Sequence, residues 1–246
     1  MLRCINTLIL YRAFEVSEYT HINTCSSGSL IARKLGLISY QQCFSLMKNW
    51  INTRKPQQQH EVWLVEHPSI YSQGQAGKSK HILNLHGIPL IQSDRGGQIT
   101  YHGPGQLICY FLFDLERLQL NVRQLVAKTT DSVIKYLSEL GITAEDDPVN
   151  PGVYVEGSKI ASLGFRVRRH MSYHGVAINI KMDLTPFLGI NPCGRSQPVC
   201  QVVDLISPTQ KICAHQDLQD IYLRHIAKTF TFDDVIVQRE WPEACL

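Results

Sequence analysis

No apolar run in the 246-residue chain approaches the ~20 residues that cross a bilayer as a helix, which excludes a transmembrane helix. The eight cysteines (Cys4, Cys25, Cys43, Cys109, Cys193, Cys200, Cys213 and Cys245) form no CxxC pair. A zinc ribbon or a thioredoxin-like redox motif is therefore not indicated. There is no Walker A loop, no HExxH and no GxSxG elbow, so the commonest routes to phosphate binding, zinc proteolysis and serine hydrolysis are missing. His81, His86, His102, His170 and His174 have no regular ligand spacing to cysteine, and no metal site is expected. An excess of one charge is lacking too. The 24 basic and 21 acidic residues leave +3, too little to indicate nucleic acid, though enough for a local basic patch facing an acidic partner.

Apolar residues make up 44% of the chain and charged residues 18%, which supports a sizeable core and an ordered domain. Residues 1–33 differ from the rest. "MLRCINTLIL" is a short apolar patch and "CSSGS" reads as a loop, and neither makes a clear secretory signal. The Arg and Ser content allows a mitochondrial transit peptide, but Glu15 and Glu18 count against it. A start near Leu30 is a third reading. Residues 1–33 are expected to be a poorly ordered extension, and residues 34–246 one catalytic domain. With no secretory signal, the cysteines read as reduced, mostly buried thiols of a cytoplasmic protein.

From Leu37 the pattern becomes helical: Leu37, Tyr40, Phe44, Met47 and Ile51 fall on one stripe, with Ser39 as cap. "EVWLVEH" and "GQLICYFLFDL" read as buried strands. Asn121 caps a second helix, with Leu125, Val133, Tyr136, Leu137 and Leu140 inward and Gly141 ending it. "GVYVEGSKIASLGFRV" and "HGVAINI" look like consecutive antiparallel strands, and a third helix is expected over 217–228. The sum is an α+β domain with mixed or antiparallel sheets flanked by helices.

Three features could carry chemistry. In "NPCGRS", Cys193 lies among turn residues, unlike Cys43, Cys109 and Cys213, which fit buried packing. It is either a turn cysteine or an exposed nucleophile. A reactive thiol needs a nearby cation, and Lys159, His102, His174 and Arg195 are candidates. Lys159 in "EGSKIASLG" is either a solvated strand lysine or the group that ionises the thiol. The glycine-rich "DRGGQITYHGPGQ" (94–106) is either a tight hairpin turn or a loop whose backbone N–H groups approach a ligand.

The segments "RGGQITYHGPGQ", "KIASLGFRVRR", "YHGVAINI", "INPCG" and "VWLVEHPSIYSQGQAGK" occur together and in order. In this the chain resembles the octanoyltransferases of the lipoyl pathway, over about residues 36 to 206. The resemblance implies a fold similar to the catalytic domain of biotin and lipoate protein ligases. It implies transfer of octanoyl from octanoyl-acyl carrier protein to a lysine of lipoyl domains, in 2-oxoacid dehydrogenase complexes and the glycine cleavage H protein. The family's acyl-thioester cysteine falls on Cys193 and its lysine on Lys159. The acyl-substrate segments fall on Arg95, Gly96, Gly97, Gln98, Ile99, Thr100, Tyr101 and His102, on Ser162, Leu163 and Gly164, and on Gly175, Val176 and Ala177. A thioester is already activated, so no ATP or other cofactor is expected, and no nucleic acid or membrane partner.

The rivals are an ATP-dependent lipoate or octanoate ligase, a Cys-His thiol hydrolase using His102 or His174 as base, and a non-catalytic scaffold. The "RVRRH" run (166–170) is either a solvated strand end or a dock for acidic carrier domains, with Arg166, Arg168 and His170 on one face if extended.

Overall fold

The computed structural model describes residues 28–147, 150–191, 198–207 and 215–242. Strand β1 (Ser29–Leu37), helix α1 (Tyr40–Thr53) and strand β2 (His60–Glu66) come first, then β3 (Ile70–Gln73), β4 (Leu90–Gln92), β5 (Ile99–His102) and β6 (Gln106–Leu112). Helix α2 (Val122–Glu139) precedes β7 (Glu145–Asp146), β8 (Gly152–Val155), β9 (Ser158–Arg168) and β10 (Met171–Asn179). Helix α3 (His215–Phe230) and strand β11 (Asp234–Gln238) follow. Eight strands form one sheet in the order β11-β1-β2-β6-β10-β9-β8-β7, and three form a second, β4-β3-β5. In the large sheet β1 runs parallel to β2 and β11, and the other pairings are antiparallel. The α+β class with mixed sheets is as the sequence indicates.

Strand β6 shows why its sequence is apolar without a break. Leu107, Cys109 and Phe111 face α2 and α3, while Ile108, Tyr110 and Leu112 face α1. A strand covered on both faces loses the polar alternation of a half-exposed one. Cys43 and Cys109 form no disulfide and are buried, and burial pushes the Cys109 thiol well above its ordinary value.

Residues 29–33 lie inside the sheet, so the boundary expected after residue 33 falls within β1. Leu30 and Ala32 are fully buried. Arg33 makes a two-pronged pair with Glu61 of β2, Nε to Oε2 at 2.7 Å and Nη2 to Oε1 at 3.1 Å. Glu61 Oε2 also accepts from Trp63 Nε1 at 2.8 Å. Two buried charges are tolerated because each is hydrogen-bonded by the other.

Helix α1 starts where expected, with the Ser39 side chain accepting from the Gln42 N–H. Its buried face is Tyr40, Cys43, Met47 and Trp50, rotated from the expected stripe. Leu37 belongs to the end of β1 and is 63% exposed. The rotation seats the Trp50 ring, the largest apolar group of the helix, in the core. Helix α2 matches its expected bounds. Asn121 and Gln124 cap each other's backbone N–H in a reciprocal box, and Gly141 ends the helix at φ 76°, a conformation that favours glycine. Helix α3 extends two residues beyond the expected span at each end.

Two core histidines carry a pH dependence. His60 packs its ring near Phe113 and Phe232. His67 bonds the Ile38 carbonyl through Nδ1 and the Tyr110 hydroxyl through Nε2, both at 2.7 Å. Burial lowers both from 6.5 to about 4, with Arg117 and Arg54 adding to the effect at His60.

Two stability predictions result. Asn121→Ala removes one arm of the capping box and should destabilise the protein by about 1 kcal/mol in urea unfolding. The histidine shifts act because the unfolded chain binds protons below pH 6.5 that the folded state refuses. Their contribution is complete above pH 6.5 and is lost as pH falls from 6.5 toward 4. By pH 5 the loss is about 2 kcal/mol for each of the two, so the urea midpoint should fall clearly between pH 7 and pH 5. Equal midpoints would contradict the assignment.

Candidate functional site

The glycine-rich stretch is not a hairpin. Strands β4 and β5 lie on opposite sides of β3, so residues 93–98 must cross its end. The crossing is stitched to the chain after β3: Gln75 N–H donates to Arg95 O at 2.9 Å, Ala76 N–H to Gly97 O at 3.1 Å and Gly74 N–H to Gln98 O at 3.1 Å. It is also stitched to the large sheet, where Gly96 N–H donates to Phe165 O at 2.9 Å. Gly97 has φ 81°. A Cβ on Gly164 would meet Gly96 O at 3.0 Å, so loop and β9 approach as only glycines permit.

This approach forms one wall of a cleft of about 780 Å³ between the two sheets. Lys159 and all the expected substrate-contact residues except Tyr101 line it. Tyr101 instead packs into the small core beneath the second sheet, against Tyr71 and Phe187. The cleft also takes in Tyr40, Ile108 and Tyr110 from the α1 side, which the sequence read as plain core, and Val122 and Val126 of α2, which it did not single out.

Lys159 faces the cleft. Its Nζ lies 3.5 Å from Pro151 O and 5.2 Å from the Tyr154 ring centroid. Gly152 makes the room, because a Cβ there would lie 2.8 Å from Lys159 Cε. Backbone bonds join Lys159 to the segment after residue 197, with its N–H donating to Pro198 O at 2.8 Å and its carbonyl accepting from Cys200 N–H at 3.1 Å. Cys193 and Arg195 lie outside the described residues. On the near side, Asn191 N–H donates to His81 O at 2.8 Å, and His81, Ile190 and Val199 all line the cleft. Cys200 is a weak nucleophile: burial, then Asp204, push its thiol up to about 11.

His102 is occupied at both ring nitrogens, by Ser72 Oγ at 2.9 Å and Gln106 Oε1 at 2.8 Å. Burial, reinforced by His67 and Arg95, holds it well below the ordinary imidazole value, so the ring is neutral. It belongs to a one-way relay. Arg95 Nε donates to Ser72 Oγ at 3.0 Å, Ser72 donates to His102, and His102 to Gln106. Gln106 Nε2 donates to Asn179 Oδ1 at 3.0 Å, and Asn179 Nδ2 to Cys200 O at 3.0 Å. The relay fixes the His102 tautomer and ties the glycine loop to the chain beside Lys159. His102 thus holds the loop in shape and keeps no nitrogen for a base.

His174 lines the cleft as well. Its Nε2 meets Asp94 Oδ1 at 2.9 Å, and Asp94 Oδ2 accepts from Tyr173 at 2.6 Å. Burial lowers its pKa against the pull of Asp94. Its φ of 59° is left-handed, worth about 1–2 kcal/mol of strain in a non-glycine residue. Its Nδ1 is buried with no hydrogen-bond partner among the described residues, a further cost of about 1–3 kcal/mol. Arg169 and His170 have φ 49° and 64° and form the β9–β10 turn. His170 therefore leaves the face expected to unite it with Arg166 and Arg168. Arg166 bonds Gln75 Oε1 at 2.8 Å, and Arg168 and Arg169 are exposed.

Residues 39–227 match the model of the lipoyl protein ligase A/B catalytic domain. An octanoyltransferase of Haemophilus influenzae (strain PittEE) is 50% identical over 189 residues, 76% of this chain and 89% of the relative. An octanoyltransferase of Pseudomonas entomophila (strain L48) is 47% identical over 201 residues, 81% and 94% of the two chains. Among solved structures, lipoate-protein ligase A bound with ATP superposes with a TM-score of 0.70, covering 89% of this chain and 90% of that one at 14% identity. That likeness concerns the fold. The family match and the two close relatives together show that the chain belongs to the lipoyl protein ligase A/B catalytic-domain family, among its octanoyltransferases.

Proposed function

We propose that this acyltransferase works through an acyl-Cys193 thioester, with Lys159 as its proton carrier, octanoyl-acyl carrier protein as donor and a lipoyl-domain lysine as acceptor. The observation that carries the reading is the meeting at one cleft wall of the Lys159 side chain and the flanks of residues 192–197. Asn191 is tied to His81 on one flank, and Pro198 and Cys200 to Lys159 on the other. Cys200 competes poorly for the role, its thiol being pushed up to about 11.

In the first half-reaction the Cys193 thiolate attacks the thioester carbonyl. The carbonyl–sulfur bond to the carrier breaks, and the leaving thiolate takes a proton from the Lys159 ammonium. In the second, the acceptor amine attacks the acyl-enzyme. The Cys193–carbonyl bond breaks, an amide forms, and the amine's proton returns to Lys159. The ammonium then stands again beside a thiolate, which it stabilises. Acceptors are the lipoyl domains of 2-oxoacid dehydrogenase complexes and the glycine cleavage H protein, and the reaction runs in the cytoplasm. No described helix is long and apolar enough to cross a membrane.

Intact mass spectrometry after mixing with octanoyl-acyl carrier protein tests the chemistry. One octanoyl group should add to the wild type, fail to add in Cys193→Ser, and leave on addition of a lipoyl domain. Labelling only with octanoate plus ATP would point to a ligase. Rapid release of octanoate without an acceptor would point to a hydrolase.

The Arg166, Arg168 and Arg169 cluster at the β9–β10 turn, with Lys78 and Lys80 on the cleft lining, supports a dock for an acidic carrier. Reversing Arg166 and Arg168 to Glu should slow transfer from the carrier-bound donor by ~10-fold at low salt, and much less from a small octanoyl thioester. Equal slowing of both donors would rule out docking there.

A further inference from the structure

Along the β9–β10 ladder four opposed pairs line the cleft: Ser162–Ala177, Leu163–Val176, Gly164–Gly175 and Phe165–His174. The next pair outward, Arg166–Tyr173, is not part of the lining. His174 therefore stands where this trough ends. Its backbone explains how it comes to be there. In β10, Tyr173 and Ala177 face α1, whereas Val176 and Ile178 face α2 and α3. Strand alternation would send His174 to the second face. The left-handed φ instead turns its ring to the α1 side, stacked on Phe44 at 5.3 Å and edge-on to Tyr110 at 6.0 Å. Asp94 holds it there, and Tyr173 holds Asp94. A strained backbone and a buried Nδ1 without a partner persist at one residue, the mark of a side chain kept for what it does in a site.

The length of the trough agrees. Strands rise ~3.3 Å per residue, so Lys159 and Phe165 lie ~20 Å apart along β9. An extended octanoyl chain has seven carbon–carbon bonds and spans ~9 Å at ~1.3 Å per bond. With the reacting carbonyl near the end of the Lys159 side chain, the methyl end reaches the Gly164–Gly175 pair and meets the imidazole beyond it. We propose that the His174 ring, locked by Asp94, is the stop that sets the length of acyl chain the enzyme accepts. The inference rests on the octanoyl-transfer reading and adds the residue that measures the chain.

The test compares wild type, H174A, H174N and A177V with hexanoyl-, octanoyl- and decanoyl-acyl carrier protein, scoring acyl-enzyme formation by mass. H174A and H174N should raise the decanoyl-to-octanoyl ratio by ~10-fold or more, the worth of two methylenes newly accommodated. A177V, which narrows the trough nearer Lys159, should shift preference toward hexanoyl. A side chain that only supports the fold would lower all three rates together. Asn adopts the left-handed backbone readily and is shorter than His, so H174N carries the test if the alanine variant does not fold. Unchanged ratios in H174N and A177V, with octanoyl still transferred, overturn the stop. Failure of the wild type to take octanoyl at all is a different result, and it counts against the octanoyl reading itself.

Discussion

The backbone of residues 95–97 touches that of β9 with no side chain between them, and the cleft exists because of that contact. Gly96 gives its N–H to Phe165 O, and Gly164 stands opposite Gly96 O. The two sheets share no ladder, so this contact helps to fix how far apart they stand. A methyl group at either glycine would lie 3.2 Å (Gly96) or 3.0 Å (Gly164) from a facing backbone oxygen and would press loop and strand apart. The wall carrying Arg95 would move with the loop, relative to the floor carrying Ser162 and Ala177. The glycines thus supply a fixed spacing between two rigid bodies.

Polar groups buried behind that wall are satisfied in series. Arg95, Ser72, His102, Gln106 and Asn179 each pass one donor forward, and the Cys200 carbonyl accepts the last. In a low-dielectric interior such a chain rigidifies what it joins, while a gap in it is expensive. The relay explains why a neutral histidine and two amides stand in an otherwise apolar region. It also links the loop that shapes the cleft to the segment that flanks Lys159, so the two sides of the site are registered by hydrogen bonds.

The regular elements were legible because their signals are local. Asn121 with Gln124, Ser39 before Tyr40, and Gly141 after the second helix act within a turn of their own position. The unbroken apolar run of β6 was equally readable as a strand covered on both faces. The buried face of α1 was less so, because which stripe faces inward depends on where Trp50 finds space in the core. The β4-β3-β5 order, which turned an apparent hairpin into a crossing, depends on a partner strand more than twenty residues upstream of β5. Tyr101 was grouped with the cleft by its place in a motif, and the register of β5 sends it elsewhere. Cys193 was marked by the turn residues around it, whereas Lys159 stood out only through motifs taken together. Nothing in the strand pattern separated Lys159 from a solvated lysine, since the space made by Gly152 appears only once β8 lies beside β9. His174 was named among the candidate cations, but its role lay in a backbone angle that the sequence does not encode locally.

Strand β1 is held on one flank by β2, which follows it closely in the chain, and on the other by β11, the last strand described. Synthesis runs from the N-terminus, so a nascent chain exposes the outer flank of β1 until residues 234–238 have left the ribosome. An unpaired strand edge is a template for joining a neighbouring chain. Translation that stalls or ends before Asp234 would release a protein whose cleft residues are all present and whose sheet is still open on one side. Assembly, more than chemistry, is what such a fragment would lack.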